Sequence, residues 1–260
     1  MYGPQGAQFY HSLTQNQTGE IDDMLRVCDG RQDGGPALEL ACGSGRLTVP
    51  FLQAGHEMVC LDMSSHMLGI LNKRLTESPD VDASRVTTIE GDMTNFALGR
   101  RFDLVLLAAS AVLYLDDDQR AALFGRVREH LTDDGLFLMS LLEFPMLESS
   151  SAPVEYSSVF AVPAPVPMLC TFIDYLDPAE RLRSTNFMCQ RVQDGAVADT
   201  AIYTALSHLA SADHIEEELA AAGLRCRSRR DVNSGFEDLW RKMNLGPDFM
   251  HMLLLEVVPG

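Results

Sequence analysis

Positive charge is scarce in this chain: 20 lysines and arginines stand against 37 aspartates and glutamates in 260 residues, a net charge of −17. Most of such a surface repels a phosphate backbone, so no nucleic-acid partner is expected. The one basic concentration, Arg225, Arg227, Arg229 and Arg230, falls largely on alternate positions of an extended run and reads as a solvated strand face. Long apolar stretches are missing as well. None reaches the roughly eighteen residues of a membrane span, and the first residues carry no basic segment followed by an apolar one, so neither a membrane nor secretion is expected and the setting should be cytoplasmic. The cysteines at 28, 42, 60, 170, 189 and 226 show no C-x-x-C spacing. That argues against zinc and against a disulfide framework, and leaves them as small core residues. Cys42, inside a glycine turn, is the one candidate for chemical sensitivity.

The most informative stretch is Ala37-Leu-Glu-Leu-Ala-Cys-Gly-Ser-Gly-Arg-Leu-Thr48, followed by Leu61-Asp62-Met63-Ser64. A short apolar run ending in Gly43-x-Gly45 reads as strand, tight turn and helix start, because glycine lets backbone approach a ligand closely. A second run, Glu57 to Leu61, delivers the Asp62 carboxylate beside that turn if the two strands are parallel neighbours. A dinucleotide site asks for a third small residue, where this chain has Thr48, and for no acid beneath the pyrophosphate, where it has Glu39. A phosphate-free nucleoside with a cationic centre suits the pattern better.

On these residues the chain resembles the class I S-adenosylmethionine-dependent methyltransferases, whose first motif is an acidic residue, a Gly or Ala, and Gly-x-Gly. Ala41 stands where that family most often has glycine. The resemblance implies that Asp62 bridges the ribose hydroxyls, that Asp92, beside Met93 after a third strand Val86 to Glu90, lies near the adenine, and that Phe102-Asp-Leu-Val-Leu-Leu107 is the fourth strand, leading into Ala108. Arg46, Met63 and Met67 join the expected cofactor contacts, with packing the plainer role for both methionines. A Phe9-Tyr10 pair resembles the N-terminal opening of small-molecule members, with His11 where they carry aspartate, and brings Tyr10 to the methionine carboxylate. Neither the Asp/Asn-Pro-Pro-Tyr motif of adenine and glutamine methylation nor a Pro-Cys nucleophile occurs.

The expected architecture is α/β: a Rossmann-like, seven-stranded, mostly parallel sheet with helices on both faces, plus an antiparallel meander inserted after strand five. Cover helices and cofactor core should occupy residues 1–142, the insertion 143–210 and the completion of the sheet 211–260. Helices are expected within 6–28 and over 48–54, 65–76, 117–131 (closed by Gly135) and 211–222. Strands are expected over 136–142, 168–175, 181–192, 197–209, 224–231 and 252–258, with a long loop at 233–251 carrying Trp240.

The same layout occurs in methyltransferases that act on amines of amino sugars and peptide antibiotics, which implies a small-molecule or peptide acceptor. The acid excess suits a cationic amine drawn in by Asp174 and Asp177. His208 is the first candidate for a proton acceptor, since imidazole titrates near neutrality, with Glu143, Tyr175 and Tyr203 behind it; no metal site is read. A homodimer is compatible with the chain. An oxygen acceptor and a non-catalytic cofactor-binding protein are the alternatives.

Overall fold

In the computed structural model, which describes residues 3–15, 17–147, 152–162, 168–232 and 249–260, the run Ala37–Leu40 forms β1 with all four side chains buried. β1 pairs in parallel with β2 (Met58–Asp62) on one side and β4 (Phe102–Leu107) on the other. β3 (Val86–Glu90) continues beyond β2, and β5 (Leu131–Glu143) beyond β4. β11 (His251–Pro259) runs antiparallel between β5 and β10 (Leu224–Val232), completing a seven-stranded sheet ordered β3-β2-β1-β4-β5-β11-β10. The chain moves outward from β1 to β3 and returns on the other side at β4. In open α/β sheets the crevice at that reversal, above the carboxyl ends of the strands, is where ligands bind.

The central strands are apolar throughout because both faces are covered. On one face Ile21 and Met24 of α2 (Gly19–Val27), Phe51 of α3 (Thr48–Gln53) and Leu68 and Leu71 of α4 (Ser65–Glu77) pack on Met58, Cys60, Leu104 and Leu106. On the other, Phe124 and Val127 of α5 (Asp117–His130) and Ile215 and Leu219 of α6 (Ala212–Ala221) pack on Leu38, Val105, Phe137 and Leu255. The helix starts are set by local chemistry. Ser64 accepts from Met67 N at 3.3 Å, Ser211 from His214 N at 3.2 Å, and Asp116 with Gln119 forms a capping box.

The N-terminal segment is two helices, α1 (Pro4–Thr14) and α2, rather than one region. α5 gives way to extended backbone at Leu131, and Gly135 lies inside β5 instead of ending the helix. A Cβ at Gly135 would come within 2.7 Å of the Leu131 side chain, so close packing within the strand explains this glycine. The insertion is a four-stranded antiparallel sheet, β6 (Val154–Val162), β7 (Met168–Asp177), β8 (Leu182–Gln193) and β9 (Ala196–His208), one strand more than the alternation suggested. Pro153 precedes β6, so it removes no ladder bond from inside this edge strand. Trp240 and residues 233–248 of the expected loop lie outside the described residues. Arg227 and Arg230 pair with Glu256, and Arg229 with Asp213, so most of the basic cluster is engaged in ion pairs.

Arg120, fully buried, joins α5 to α6 through Glu218 at 2.7 Å. It also meets Asp117, which in turn binds Arg181 at the start of β8 at 2.9 Å and so ties the insertion to the core. Gly45 is demanded twice over: its φ is +78°, and an added Cβ would lie 2.3 Å from Leu71 Cδ1. Gly45→Ala should therefore destabilise the protein by about 2 kcal/mol or more, read from the shift of a urea unfolding midpoint.

Candidate active site

Ala41, Gly43 and Gly45 all adopt positive φ, at 52°, 55° and 78°, so the segment after β1 coils tightly above the sheet. Four contacts fasten it. Gly43 N donates to Asp62 Oδ2 at 2.8 Å, Cys42 N to Leu61 O at 3.1 Å, and Arg74 Nη1 to Ser44 O at 2.7 Å, while His11 Nδ1 meets Ser44 Oγ at 3.0 Å. His11, the departure from the family's opening, thus clamps the glycine turn.

Above the turn lies a cavity of about 530 Å³. Nine of the twelve residues expected at the cofactor line it: Tyr10, Ala41, Gly43, Asp62, Met63, Met67, Asp92, Met93 and Ala108. Asp62 accepts from Gly43 N and Ser64 N, one bond on each oxygen at 2.8 Å. A carboxylate offers about four lone-pair sites, so two remain for a ribose diol. Burial raises the Asp62 pKa while those two backbone bonds oppose the rise. Asp92 spends only Oδ1 on its turn, accepting from Thr94 N and Oγ1, both at 2.8 Å. A Cβ added to Gly43 would meet no protein atom within 4 Å, so the space above the turn is open to a ligand. Together these features fit adenosine in the larger cavity.

The other three expected cofactor residues sit elsewhere. Glu39 points beneath the turn towards α3 and lines neither cavity; its Oε2 accepts from Thr48 Oγ1 at 2.6 Å. Burial above all pushes its carboxyl up to about 8, so at neutral pH it contributes no charge to the ligand and serves the turn's architecture. Gly45 is the packing glycine described above. Arg46 pairs with Glu20 and donates to Gln17 O at 3.0 Å, facing a second cavity. Cys42 is buried, and its thiol is held well above the usual range by Cys60, by burial and by Glu39, which disfavours the nucleophilic thiolate.

The second cavity, of about 190 Å³, adjoins the first and shares Tyr10, Ala109, Tyr114 and Ala205 with it. Its far wall is the inner face of the four-stranded sheet, with Tyr156, Phe172, Arg183 and Phe187. At the seam Ala109 and Ser110 both hold positive φ, 56° and 53°, a local strain of the kind found at functional sites. Burial raises the pKa of Tyr10, Tyr114 and Tyr156, so all three hydroxyls stay protonated and act as donors.

None of the four side chains expected to handle a proton lines either cavity. His208 ends β9 opposite Leu182. Glu143 accepts from Ala212 N at 2.7 Å and caps α6. Tyr175 is exposed beside Asp177, and Tyr203 stacks on Phe9 with ring centroids 4.6 Å apart. Strand alternation explains Tyr175: Phe172, Asp174 and Leu176 are the inward residues of β7, so Tyr175 faces out. Asp174 and Asp177, expected to draw in a cation, are already committed. Asp174 is fully buried against Arg183, Thr185 and Tyr156, and Asp177 caps the turn at Ala179 and Glu180. Glu20, Tyr114, Tyr156 and Arg183 went unread because no local motif marks them; inward parity on β8 would have found Arg183.

Residues 37–135 match a family model described as a methyltransferase domain. The chain is 30% identical over 139 residues to the dTDP-3-amino-3,4,6-trideoxy-alpha-D-glucopyranose N,N-dimethyltransferase of Streptomyces venezuelae, covering 53% of this chain and 55% of that protein. The glycopeptide N-methyltransferase MtfA, solved with sinefungin, is 30% identical and superposes over 94% of each chain with a TM-score of 0.63. The chain belongs to the S-adenosylmethionine-dependent methyltransferases. The CcbJ methyltransferase of Streptomyces caelestis, 18% identical, shares the methyltransferase fold over 100% of this chain and 98% of its own, with a TM-score of 0.76. The chain spans about half the length of the curated relatives it matches.

Glu39 leaves a thermodynamic signature in this methyltransferase. Its folded pKa of about 8 exceeds the ordinary 4.5, so between those values the unfolded chain has released a proton that the folded chain keeps, and stability falls as pH rises. Glu39→Gln should remove up to about 1.4 kcal/mol per pH unit of that slope, checked by urea titrations from pH 5 to 8.5.

Proposed function

We propose that the protein transfers a methyl group from S-adenosylmethionine to an amine of a small-molecule or peptide natural product. The observation that carries this reading is the pair of adjoining cavities, one whose lining suits adenosine and one walled by the inserted sheet, meeting at Tyr10, Ala109, Tyr114 and Ala205. The relatives' names support the amine: an amino-sugar N,N-dimethyltransferase, an N-terminal methyltransferase acting on cypemycin and a glycopeptide N-methyltransferase. When bound, the cofactor supplies a methyl group already activated by a positive sulfur.

The chain's own work is positioning. Asp62 would hold the ribose hydroxyls, Asp92 with Met93 the adenine edge, and Tyr10 the amino-acid end. The aromatic wall of Tyr156, Phe172 and Phe187 would orient the acceptor and exclude water, so that its lone pair meets the methyl carbon in line. Buried tyrosine hydroxyls act as donors, which leaves proton acceptance to a carboxylate or to solvent. A homodimer, a cytoplasmic setting and the absence of a nucleic-acid partner belong to the same proposal; no helix among the described residues is long and apolar enough to cross a membrane.

The reading is tested with matched amine and hydroxyl forms of one amino-sugar or peptide scaffold and cofactor labelled in its methyl group. Label on the amine, with transfer to the hydroxyl slower by about tenfold or more, is expected; faster transfer to oxygen would overturn the choice of acceptor. Asp62→Ala should weaken S-adenosylhomocysteine binding about tenfold or more by calorimetry, since it removes both the diol's acceptor and the anchor of Gly43 N.

A further inference from the structure

Three buried side-chain atoms among the described residues have no hydrogen-bond partner: Glu20 Oε2, Arg191 Nε and His214 Nε2. Of these residues Glu20 alone lines either of the two cavities described above, and it lines the smaller one. Glu20 is 3% exposed. Its other oxygen, Oε1, is used twice, by the Arg46 guanidinium and by Ala109 N at 3.1 Å. Those two bonds fix the carboxylate between α2, the glycine turn and the strained segment after β4, and leave one oxygen unsatisfied. An unpaired carboxylate oxygen away from water is costly, so the fold keeps it for a donor that arrives with a ligand.

The charges around that cavity narrow the donor. Arg183 is neutralised by Asp174, and Arg46 is paired with Glu20 itself. Glu20 is the one carboxylate among the described residues of this wall. It is hydrogen-bonded to the shared Ala109, and the rings of Tyr156, Phe172 and Phe187 line the same cavity.

Building on the methyltransferase reading, we propose that Glu20 is the specificity residue for the acceptor: Oε2 accepts an N–H of the acceptor's amine and stabilises positive charge on that nitrogen. The bond is charge-assisted and therefore stronger for an ammonium, or for a nitrogen acquiring charge, than for a hydroxyl. No proton need move from nitrogen to Glu20 for this role. The Arg46 pair holds the carboxylate's orientation, so the preference is built in before the acceptor arrives.

The test uses binding, and so does not depend on catalysis. Protein saturated with S-adenosylhomocysteine is titrated with benzylamine and with benzyl alcohol, two probes of the cavity's size that differ in the donor. The wild type should bind benzylamine about tenfold or more tighter, and Glu20→Gln, which keeps the shape and an acceptor for Ala109 N, should bring the ratio to within about twofold. Affinity of Glu20→Gln for S-adenosylhomocysteine should stay within about threefold of wild type. Absence of an amine preference in the wild type, including failure of benzylamine to bind, overturns the proposal, as does persistence of the preference in Glu20→Gln. A tenfold loss of S-adenosylhomocysteine affinity in that variant also overturns it, by assigning Oε2 to the cofactor's own ammonium. If Glu20→Gln does not fold, Glu20→Asp, which withdraws the charge by one methylene, should cut the preference at least threefold, and an unchanged ratio overturns it. The methyltransferase reading fails separately, by absence of label on either scaffold in the transfer assay.

Discussion

The Asp62 carboxylate, accepting Gly43 N on one oxygen and Ser64 N on the other, holds together two loops that border the larger cavity. Each loop follows a central parallel strand, and each would otherwise leave a backbone donor without a partner at the carboxyl edge of the sheet. One side chain therefore sets the depth of the larger cavity, the path of the glycine turn and the start of α4, whose cap Ser64 is one of the two donors. The strands supply a rigid base for this arrangement because their faces are filled by helices on both sides.

Around that bridge the molecule divides its labour between rigid support and open chemistry. Glu39, Thr48 and Cys60 form a buried polar cluster beneath the turn, and burial outweighs the Thr48 and Cys60 hydrogen bonds in raising the carboxyl's pKa. Arg74 and His11 fasten the turn from outside. Asp62, Asp92 and Glu20 keep unused hydrogen-bonding capacity and line the two cavities. The inserted sheet joins this plan through Phe9 and its stack on Tyr203, next to Tyr10 at the seam of the two cavities.

Much of the lining of the larger cavity was legible in the order of residues. The alternation that places Leu38 and Leu40 on one face and Glu39 on the other, the glycines at 43 and 45, and the acids closing β2 and following β3 are local signals with fixed spacing, and they lead directly to the larger cavity. The smaller cavity was harder to read for a definite reason. His208, Glu143, Tyr175 and Tyr203 have suitable chemistry, but His208 lines neither cavity and the other three meet a helix N-terminus, solvent and Phe9, which depends on which strand lies opposite and which side of a sheet is covered. Asp174 looked available because its partner Arg183 sits on the next strand.

The succession of residues along the chain by itself determined the parallel core, the glycine turn and the acids beside it, because backbone sterics, strand periodicity and capping act within a few residues. Tertiary structure alone decided which charges are spent and which remain. Glu20 comes to lie against Ala109, 89 positions away, and Asp174 against Arg183, only through packing of α2 on the sheet and pairing of β7 with β8. Burial then fixes the outcome, since a charge removed from water is tolerated only beside its partner.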